Sequence, residues 1–131
     1  MQRHRDETGV PMMQRAALSL LLLAAAYPAS AAPVPRPAAF GICATCHKAA
    51  KGAPNGIGPN LWGIGNTKAG VVPGFAFSPA MKSSAVRWTR ANLVAFAMEP
   101  RKVVPGTRMA FAGLRDRQMA ERIADYILSL K

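Results

Sequence analysis

Apolar side chains recur at helical spacing in the last part of the chain, behind a residue that suits a helix start. Asp116 can cap a helix because its carboxylate accepts hydrogen bonds from the first free backbone N–H groups. The apolar positions that follow lie mostly three or four residues apart, at Met119, Ile123, Tyr126, Ile127 and Leu130. This pattern predicts a C-terminal helix that packs one face against a core.

Two shorter helices are predicted upstream by their capping residues. Ser78 before Pro79 is a favourable start, because serine caps a helix and proline suits its first position, and this helix is expected to run through Ser83. Thr89 can cap a second helix, which should end before Pro100 because a residue that precedes proline disfavours the helical conformation. The apolar face of this second helix carries Leu93, Phe96 and Ala97.

The remaining pattern predicts one more short helix and long loops. The helix should start near Pro37 and run through Phe40 into the segment from Cys43 to His47. Residues 51–74 are rich in glycine, proline and asparagine, and residues 101–113 also read as loop. Since no segment has the pattern of a β-strand, the fold class is all-α. Loops of this length in a small domain are expected when they wrap around a bound group.

Residues 1–31 have the pattern of an export leader. A short basic start precedes the apolar run Ala16 to Ala26, and small residues at its end form a cleavage site. A start at Met12 or Met13 would give a more conventional leader. The run is too short to span a bilayer comfortably, so an uncleaved membrane anchor is the less favoured alternative. The prediction is a secretory signal peptide followed by one domain, residues 32–131.

The charge of the chain is strongly positive. Lysine and arginine number 17 and aspartate and glutamate 6, for a formal charge of +11, of which the domain keeps about +10. Such a charge favours a partner with an acidic surface. Nucleic acid is the alternative partner, but the basic residues are dispersed and accompany no nucleic-acid-binding motif. No binding to nucleic acid is therefore expected.

Both cysteines of the chain and one of its two histidines fall in the pentapeptide Cys43-Ala44-Thr45-Cys46-His47. This is the pattern of covalent c-type haem attachment. Two thiols on one helical turn can each add to one vinyl group of the same porphyrin. His47 then follows directly, and its imidazole can reach the iron as an axial ligand.

Three other readings of this motif are weaker. A thioredoxin-like dithiol expects a βαβ context, which the sequence lacks. A zinc site needs about four ligands, and the other histidine, His4, lies in the leader. A disulfide between Cys43 and Cys46 would close a very small loop and add little stability. Haem is therefore the predicted cofactor, and because c-type haem is attached outside the inner membrane, a periplasmic location is expected.

The second axial position has only thioether candidates in the domain. These are Met81, Met98, Met109 and Met119. Methionines on helices usually fill gaps in the core, and we assign Met81, Met98 and Met119 to that role. Met109 differs, because the loop that carries it is stiffened by a proline and turned by glycines, and such a loop can direct a side chain inward.

Further stretches of the sequence resemble one protein family, class I cytochrome c of the mitochondrial and bacterial c2 type. The similarity extends from Phe40 to the C-terminus without a gap. The matching stretches are Phe40 to His47, Gly58 to Leu61, Ala69 to Phe75, Ser78 to Lys82, Trp88, Leu93, Pro100 to Lys102, Val104 to Gly113 and Ala124 to Tyr126.

The resemblance implies the small class I cytochrome c fold around one covalent haem c. It also implies His47 and Met109 as the axial ligands of the iron. The Pro59 carbonyl oxygen would accept a hydrogen bond from the outer nitrogen of His47, and Trp88 would contact a haem propionate. Such a backbone acceptor fixes the orientation of a metal-bound histidine.

A monomeric, soluble one-electron carrier is the function that this resemblance implies. It would not be an enzyme, because two axial ligands leave no site for a substrate. The expected partners are acidic faces of membrane redox complexes, with a cytochrome bc1-type donor and an oxidase or photosynthetic reaction centre as acceptor. The basic residues near the Met109 loop that would meet them are Arg101, Lys102, Arg108, Arg115 and Arg117. The alternative is a small haem peroxidase, if Met109 detaches from the iron.

Five positions depart from the family pattern. The family often has tyrosine at Phe77 and Phe96, arginine at Thr67 and asparagine at Met81. Several hydrogen-bond donors near the propionates and the methionine sulfur are therefore expected to be missing. Arg36 replaces a glycine of the first helix, so the contact between the terminal helices is expected to be shorter or differently packed.

Overall fold

Short helices joined by long loops make up residues 34–131, the part of the chain that the computed structural model describes. The element bounds are a 3₁₀ turn Ala38–Phe40, α1 Gly41–Ala44, α2 Pro79–Ser83, α3 Arg90–Met98, α4 Pro100–Val103 and α5 Arg117–Ser129. These residues form no strand, only one isolated antiparallel bridge between Lys68 and Arg87. The predicted all-α class is confirmed.

The predicted leader, residues 1–31, lies outside the described residues. Within residues 34–131, no helix is both long enough and apolar enough to cross a membrane.

The predicted helix caps are all present. Ser78 Oγ accepts a hydrogen bond from the Met81 N–H at 3.1 Å, and Thr89 Oγ1 accepts one from the Asn92 N–H at 3.3 Å. Asp116 Oδ1 accepts two hydrogen bonds, from the backbone N–H groups of Gln118 at 2.8 Å and Met119 at 3.2 Å. Each cap satisfies N–H groups that have no partner inside the helix, so α2, α3 and α5 begin where the sequence predicts.

The prediction of loop for residues 101–113 is wrong at its start. Helix α4 occupies Pro100–Val103, directly after α3. Proline suits the first position of a helix, because its backbone angle is already helical there and its missing N–H would have no partner anyway. Pro100 therefore ends α3, as expected, and also begins α4.

Helices α3 and α5 pack against each other and form the centre of the core. Leu93 and Val94 on α3 and Ile123 and Ile127 on α5 are buried. At the edge of this pair, Arg90 on α3 donates two hydrogen bonds to the carboxylate of Asp125 on α5, at 2.6 and 3.0 Å. Both side chains of this pair are about half exposed.

The two ends of the domain meet through aromatic rings. The buried ring of Phe40 lies edge-on to Tyr126, with centroids 4.9 Å apart. Arg36 lies before the 3₁₀ turn, which begins only at Ala38, and its guanidinium stands 5.3 Å from the Phe40 ring centroid. The helical segment at this end thus starts after Arg36, and the arginine lies within cation–π distance of Phe40.

Candidate haem-binding site

All four sequence-predicted site residues line one cavity of about 530 Å³, namely Cys43, Cys46, His47 and Met109. The other lining residues are largely apolar and include Leu61, Ile64, Phe77, Met81, Leu93, Phe96, Ile123 and Ile127. Protein interiors are close-packed and leave few voids larger than a water molecule. A cavity of this size, in a domain of this size, has the volume and walls for a large apolar group.

The two thiols stand on one turn of chain at the cavity wall. The backbone N–H groups of Cys46 and His47 both donate to the Cys43 carbonyl oxygen, at 3.1 and 2.9 Å, and so extend the turn of α1. Both cysteines are free; Cys43 is partly buried and Cys46 exposed. Burial raises the pKa of the Cys43 thiol, which stays protonated at neutral pH. Free thiols on one turn are what attachment to two vinyl groups requires.

The structure also bears on the other readings of the motif. Among residues 34–131, no group of three or more histidine, cysteine, aspartate or glutamate side chains is placed to hold a metal ion. The same residues offer no strand for a βαβ unit. Neither a zinc site nor a thioredoxin-like dithiol is supported in this part of the chain.

The imidazole of His47 is fixed from two sides. Its Nδ1 lies 2.7 Å from the Pro59 carbonyl oxygen and donates a hydrogen bond to it. Gly58 lies against the ring, since a Cβ at this position would come within 2.9 Å of three ring atoms. Burial lowers the pKa of His47, and the hydrogen bond to Pro59 opposes this only in part. The ring is therefore neutral at pH 7, with the lone pair of Nε2 available as a ligand.

An asparagine pair, missed by the sequence reasoning, holds the loop that carries Pro59. Asn55 Oδ1 accepts a hydrogen bond from the Asn60 N–H at 2.9 Å, while Asn55 Nδ2 donates to the Pro73 carbonyl oxygen at 3.0 Å. The side-chain amide of Asn60 donates to the carbonyl oxygens of Ala50 and Ala53. In the sequence, Asn55 and Asn60 are recognisable only as turn residues beside glycine and proline. Their partners lie up to 18 residues away, so the pattern alone carried no signal for the network.

Met109 is partly buried at the cavity, in a loop shaped by its neighbours. Gly106 has φ 88°, in the left-handed region that favours glycine. At the far end Gly113 has φ 106°, and a Cβ there would overlap the Met98 carbonyl oxygen. These two glycines allow the loop to turn in and return to α5.

The other methionines occupy the core, as predicted. Met81 is buried, and Met98 and Met119 pack against the buried cluster. Met81 has a second feature that the sequence did not reveal, because it lines the same cavity as Met109. The cavity therefore contains two thioethers.

Aromatic rings without hydroxyl groups form part of the cavity wall. Phe96 lies edge-on to Trp88, with centroids 5.0 Å apart, and Phe77 lies edge-on to Phe75 at 4.8 Å. Every fully buried side-chain nitrogen and oxygen among the described residues has a hydrogen-bond partner. Trp88 lines the cavity, and its indole N–H makes no hydrogen bond within these residues and keeps some accessible surface.

Thr67, which replaces an arginine of the family pattern, makes a local hydrogen bond within its own loop. Its hydroxyl donates to the Ile64 carbonyl oxygen at 2.7 Å, and it is absent from the cavity lining.

The five basic residues near the Met109 loop fall into two groups. Three have partners: Lys102 pairs with Glu99 at 3.0 Å, Arg117 pairs with Glu121 at 3.2 Å, and Arg108 donates to the Ala76 carbonyl oxygen at 2.6 Å. Arg101 and Arg115 are exposed and make no ion pair within residues 34–131. Among the five, these two have neither an ion pair nor a side-chain hydrogen bond within residues 34–131.

The chain is similar to cytochromes c of known sequence. No protein-family model matches the chain. Cytochrome c2 of Rhodoblastus acidophilus is 44% identical over 89 residues, which cover 68% of this chain and 83% of that protein. Cytochrome c of Trypanosoma brucei brucei is 45% identical over 83 residues, covering 63% of this chain and 89% of the relative.

A solved structure agrees with these sequences. Cytochrome cH from Methylobacterium extorquens superposes with a TM-score of 0.63 at 41% identity, covering 68% of this chain and 89% of that structure. The cavity brings together two thiols, an oriented imidazole and a thioether. With the sequence identity to these cytochromes and the share of their length that is covered, this shows that the chain belongs to the class I cytochrome c family.

Proposed function

We propose that this protein is a one-electron carrier that holds one haem c, attached to Cys43 and Cys46, with His47 and Met109 as axial ligands. The observation that carries the proposal is the gathering of all four residues on one apolar cavity. The hydrogen bond from His47 Nδ1 to the Pro59 carbonyl oxygen supports it further, because this bond leaves Nε2 as the ligand atom.

The chain's own residues define how the carrier works. When bound, the haem supplies the one-electron couple of its iron. Pro59 and Gly58 hold the imidazole in one orientation, and the apolar wall keeps water away from the cavity. A thioether from Met109 would favour the reduced iron relative to a second histidine and so raise the potential. The indole N–H of Trp88, which has no partner within the described residues, would be a donor for a haem propionate.

Two axial ligands leave no position for a substrate, so the proposed protein is not an enzyme. The competing peroxidase function requires an open sixth position. A thioether-to-iron charge-transfer band in the ferric spectrum, together with the absence of peroxidase turnover, would support the carrier. A ferric protein without this band, which turns over peroxide rapidly, would support the peroxidase.

Covalent attachment is tested by replacing both thiols. The Cys43→Ser, Cys46→Ser double variant should retain no haem on a denaturing gel stained for haem, because neither vinyl group has a partner. Met109→Leu is the matched control and should keep a haem band of normal intensity, since it removes only a ligand. A haem-positive band of normal intensity in the double variant would refute the attachment.

The location and partners are also part of the proposal. We place the protein in the periplasm, which the predicted leader supports, and expect the haem-stained band in the periplasmic fraction of cells. Its partners would be acidic faces of membrane redox complexes, with a cytochrome bc1-type donor and an oxidase or photosynthetic reaction centre as acceptor. The charge of +11 and the uncompensated Arg101 and Arg115 support an acidic partner.

A further inference from the structure

The backbone of Trp88 is held by a loop some twenty residues earlier in the chain. The Trp88 N–H donates to the Thr67 carbonyl oxygen at 2.9 Å, and the Trp88 carbonyl oxygen accepts a hydrogen bond from the Asn66 N–H at 3.1 Å. The buried ring of Trp88 lies at the cavity, edge-on to Phe96. The position of the indole in the cavity wall therefore depends on where the backbone at Asn66 and Thr67 lies.

This loop turns at Asn66 in a conformation that few side chains adopt. Within residues 34–131, Asn66 is the one residue other than glycine with a positive φ, at 60°. Asparagine tolerates this left-handed region better than most residues do, but glycine adopts it at lower cost. A backbone conformation of this kind persists where the surrounding contacts hold it.

Arg87, directly before Trp88 in sequence, supplies such a contact. Its Nη2 donates a hydrogen bond of 2.7 Å to the Asn66 carbonyl oxygen, 21 residues away in the chain. The backbone of Arg87 is anchored in turn, because its carbonyl oxygen accepts a hydrogen bond of 2.8 Å from Asn92 Nδ2 in the first turn of α3. Arginine suits this contact, since its charged N–H groups form short hydrogen bonds and its head is planar. Neither Arg87 nor Asn66 lines the cavity.

We propose that Arg87 is a positioning residue for Trp88: it holds the turn at Asn66, and this fixes the indole as the donor to a haem propionate. A donor to the propionate offsets part of its negative charge, and a smaller negative charge beside the iron favours the reduced state. The inference rests on the proposed haem site and on the proposed contact of Trp88 with a propionate. No sequence pattern marks Arg87 for this role, because its acceptor is a backbone carbonyl group.

The reduction potential of the holoprotein is the first test. Arg87→Leu removes the hydrogen bond together with one positive charge. Lys82→Leu is the matched control, because Lys82 is also exposed and also adjoins a cavity residue, Met81, but its side chain makes no hydrogen bond within residues 34–131. Loss of either charge favours ferric iron, and Arg87→Leu should lower the potential further than Lys82→Leu does. Arg87→Lys keeps the charge and one donor, so it should recover part of the difference.

Equal potentials in Arg87→Leu and Lys82→Leu would overturn the proposal, because charge alone would then explain the shift. Asn66→Gly should keep the parent potential, since glycine adopts the same turn and retains the carbonyl acceptor. A potential as low in Asn66→Gly as in Arg87→Leu would also count against the proposal, because it would place the effect in the asparagine side chain.

Amide hydrogen exchange shows whether the loop itself is loosened. A single hydrogen bond of this kind changes an opening equilibrium by roughly three- to tenfold. In Arg87→Leu the backbone N–H groups of Asn66 and Trp88 should therefore exchange about three- to tenfold faster, while those of α5 keep the parent rates. Unchanged exchange at both groups would refute the role of Arg87. Faster exchange throughout the domain would mean general destabilisation and would count against it as well.

Trp88→Phe separates this inference from the proposed function. If its potential equals that of the parent, the proposed contact between Trp88 and a propionate fails, and the role of Arg87 fails with it. If Trp88→Phe lowers the potential, the shifts caused by Arg87→Leu and Lys82→Leu in this background should be equal. A larger shift for Arg87→Leu there would leave the proposed contact standing and refute only the action of Arg87 through Trp88.

Exchange of the indole N–H of Trp88, followed by NMR of the ferrous holoprotein, gives the same distinction without replacing the tryptophan. This exchange should be slow in the parent and about three- to tenfold faster in Arg87→Leu. Fast exchange already in the parent would refute the proposed contact with a propionate. Slow exchange in both proteins would refute only the role of Arg87.

Discussion

Replacing Gly58 by alanine tests whether the Pro59 loop fixes the imidazole of His47. A Cβ on Gly58 would lie 2.5 Å from Cε1, 2.7 Å from Nδ1 and 2.9 Å from Nε2 of the ring. Favourable contacts between such atoms begin at about 3.5 Å, so the ring or the loop has to move by about 1 Å. Because Gly58 and Pro59 are neighbours, this movement must disturb the 2.7 Å hydrogen bond between Nδ1 and the Pro59 carbonyl oxygen.

Two contributions set the expected loss of stability in Gly58→Ala. Forcing an extra methyl group into a packed site costs about 1–3 kcal/mol. Weakening a hydrogen bond costs about 0.5–1.5 kcal/mol. The free energy of unfolding of Gly58→Ala should therefore fall by about 1.5–4.5 kcal/mol. The reduction potential should shift as well, because the orientation of the axial imidazole changes.

Two other glycines provide matched controls for guanidinium denaturation of the holoprotein. At Gly56 a Cβ would meet only the Cys46 carbonyl oxygen, at 3.3 Å, so Gly56→Ala should have a small effect. At Gly41, inside α1, a Cβ has nothing within 4 Å. Gly41→Ala should be neutral or stabilise the protein by up to about 1 kcal/mol. If Gly58→Ala keeps the stability and the potential of the parent, the reasoning about the ring contact is refuted.

The proposed methionine ligand, the surface charge and the pair of Arg90 and Asp125 can each be tested by substitution. Met109→Leu should keep the covalent haem, lose the thioether charge-transfer band and lower the potential in a redox titration; an unchanged potential would show that another residue is the ligand. In stopped-flow experiments, electron-transfer rates to an acidic membrane partner should fall by about tenfold or more as salt is added. Arg101→Glu should make the rate less dependent on salt than Arg122→Glu does. A parent rate that does not change with salt would contradict steering by charge. Hydrogen bonds from Arg90 lower the pKa of Asp125 in the folded protein. Their contribution to stability is therefore present above the ordinary carboxyl pKa and is lost as the pH falls through the lowered pKa of Asp125. Thermal melts of the parent and Asp125→Asn should therefore differ modestly near neutral pH and converge in strong acid, whereas a difference that persists in acid would mean that the ion pair is not its source.

Local patterns in the sequence determined much of the fold and the residues of the proposed attachment site. Ser78, Thr89 and Asp116 begin helices because a capping side chain bonds to backbone groups two or three residues away, and the sequence shows both ends of such a bond. The two cysteines and His47 are equally local, since one helical turn brings them together. The short helix α4 shows the limit of this reasoning, because the same Pro100 that ends one helix also begins another.

The tertiary structure alone decided which distant groups meet around the cavity. Three contacts around the cavity join residues 11 to 32 positions apart. They are the contact of Gly58 with the His47 ring, the hydrogen bond from Asn55 to the Pro73 carbonyl oxygen and the hydrogen bond from Arg108 to the Ala76 carbonyl oxygen. None of them leaves a periodic pattern, because loop backbone follows no repeat and a carbonyl acceptor can belong to any residue type. The sequence therefore determined which groups are available, and the folded loops decided which of them hold the proposed iron ligands in place.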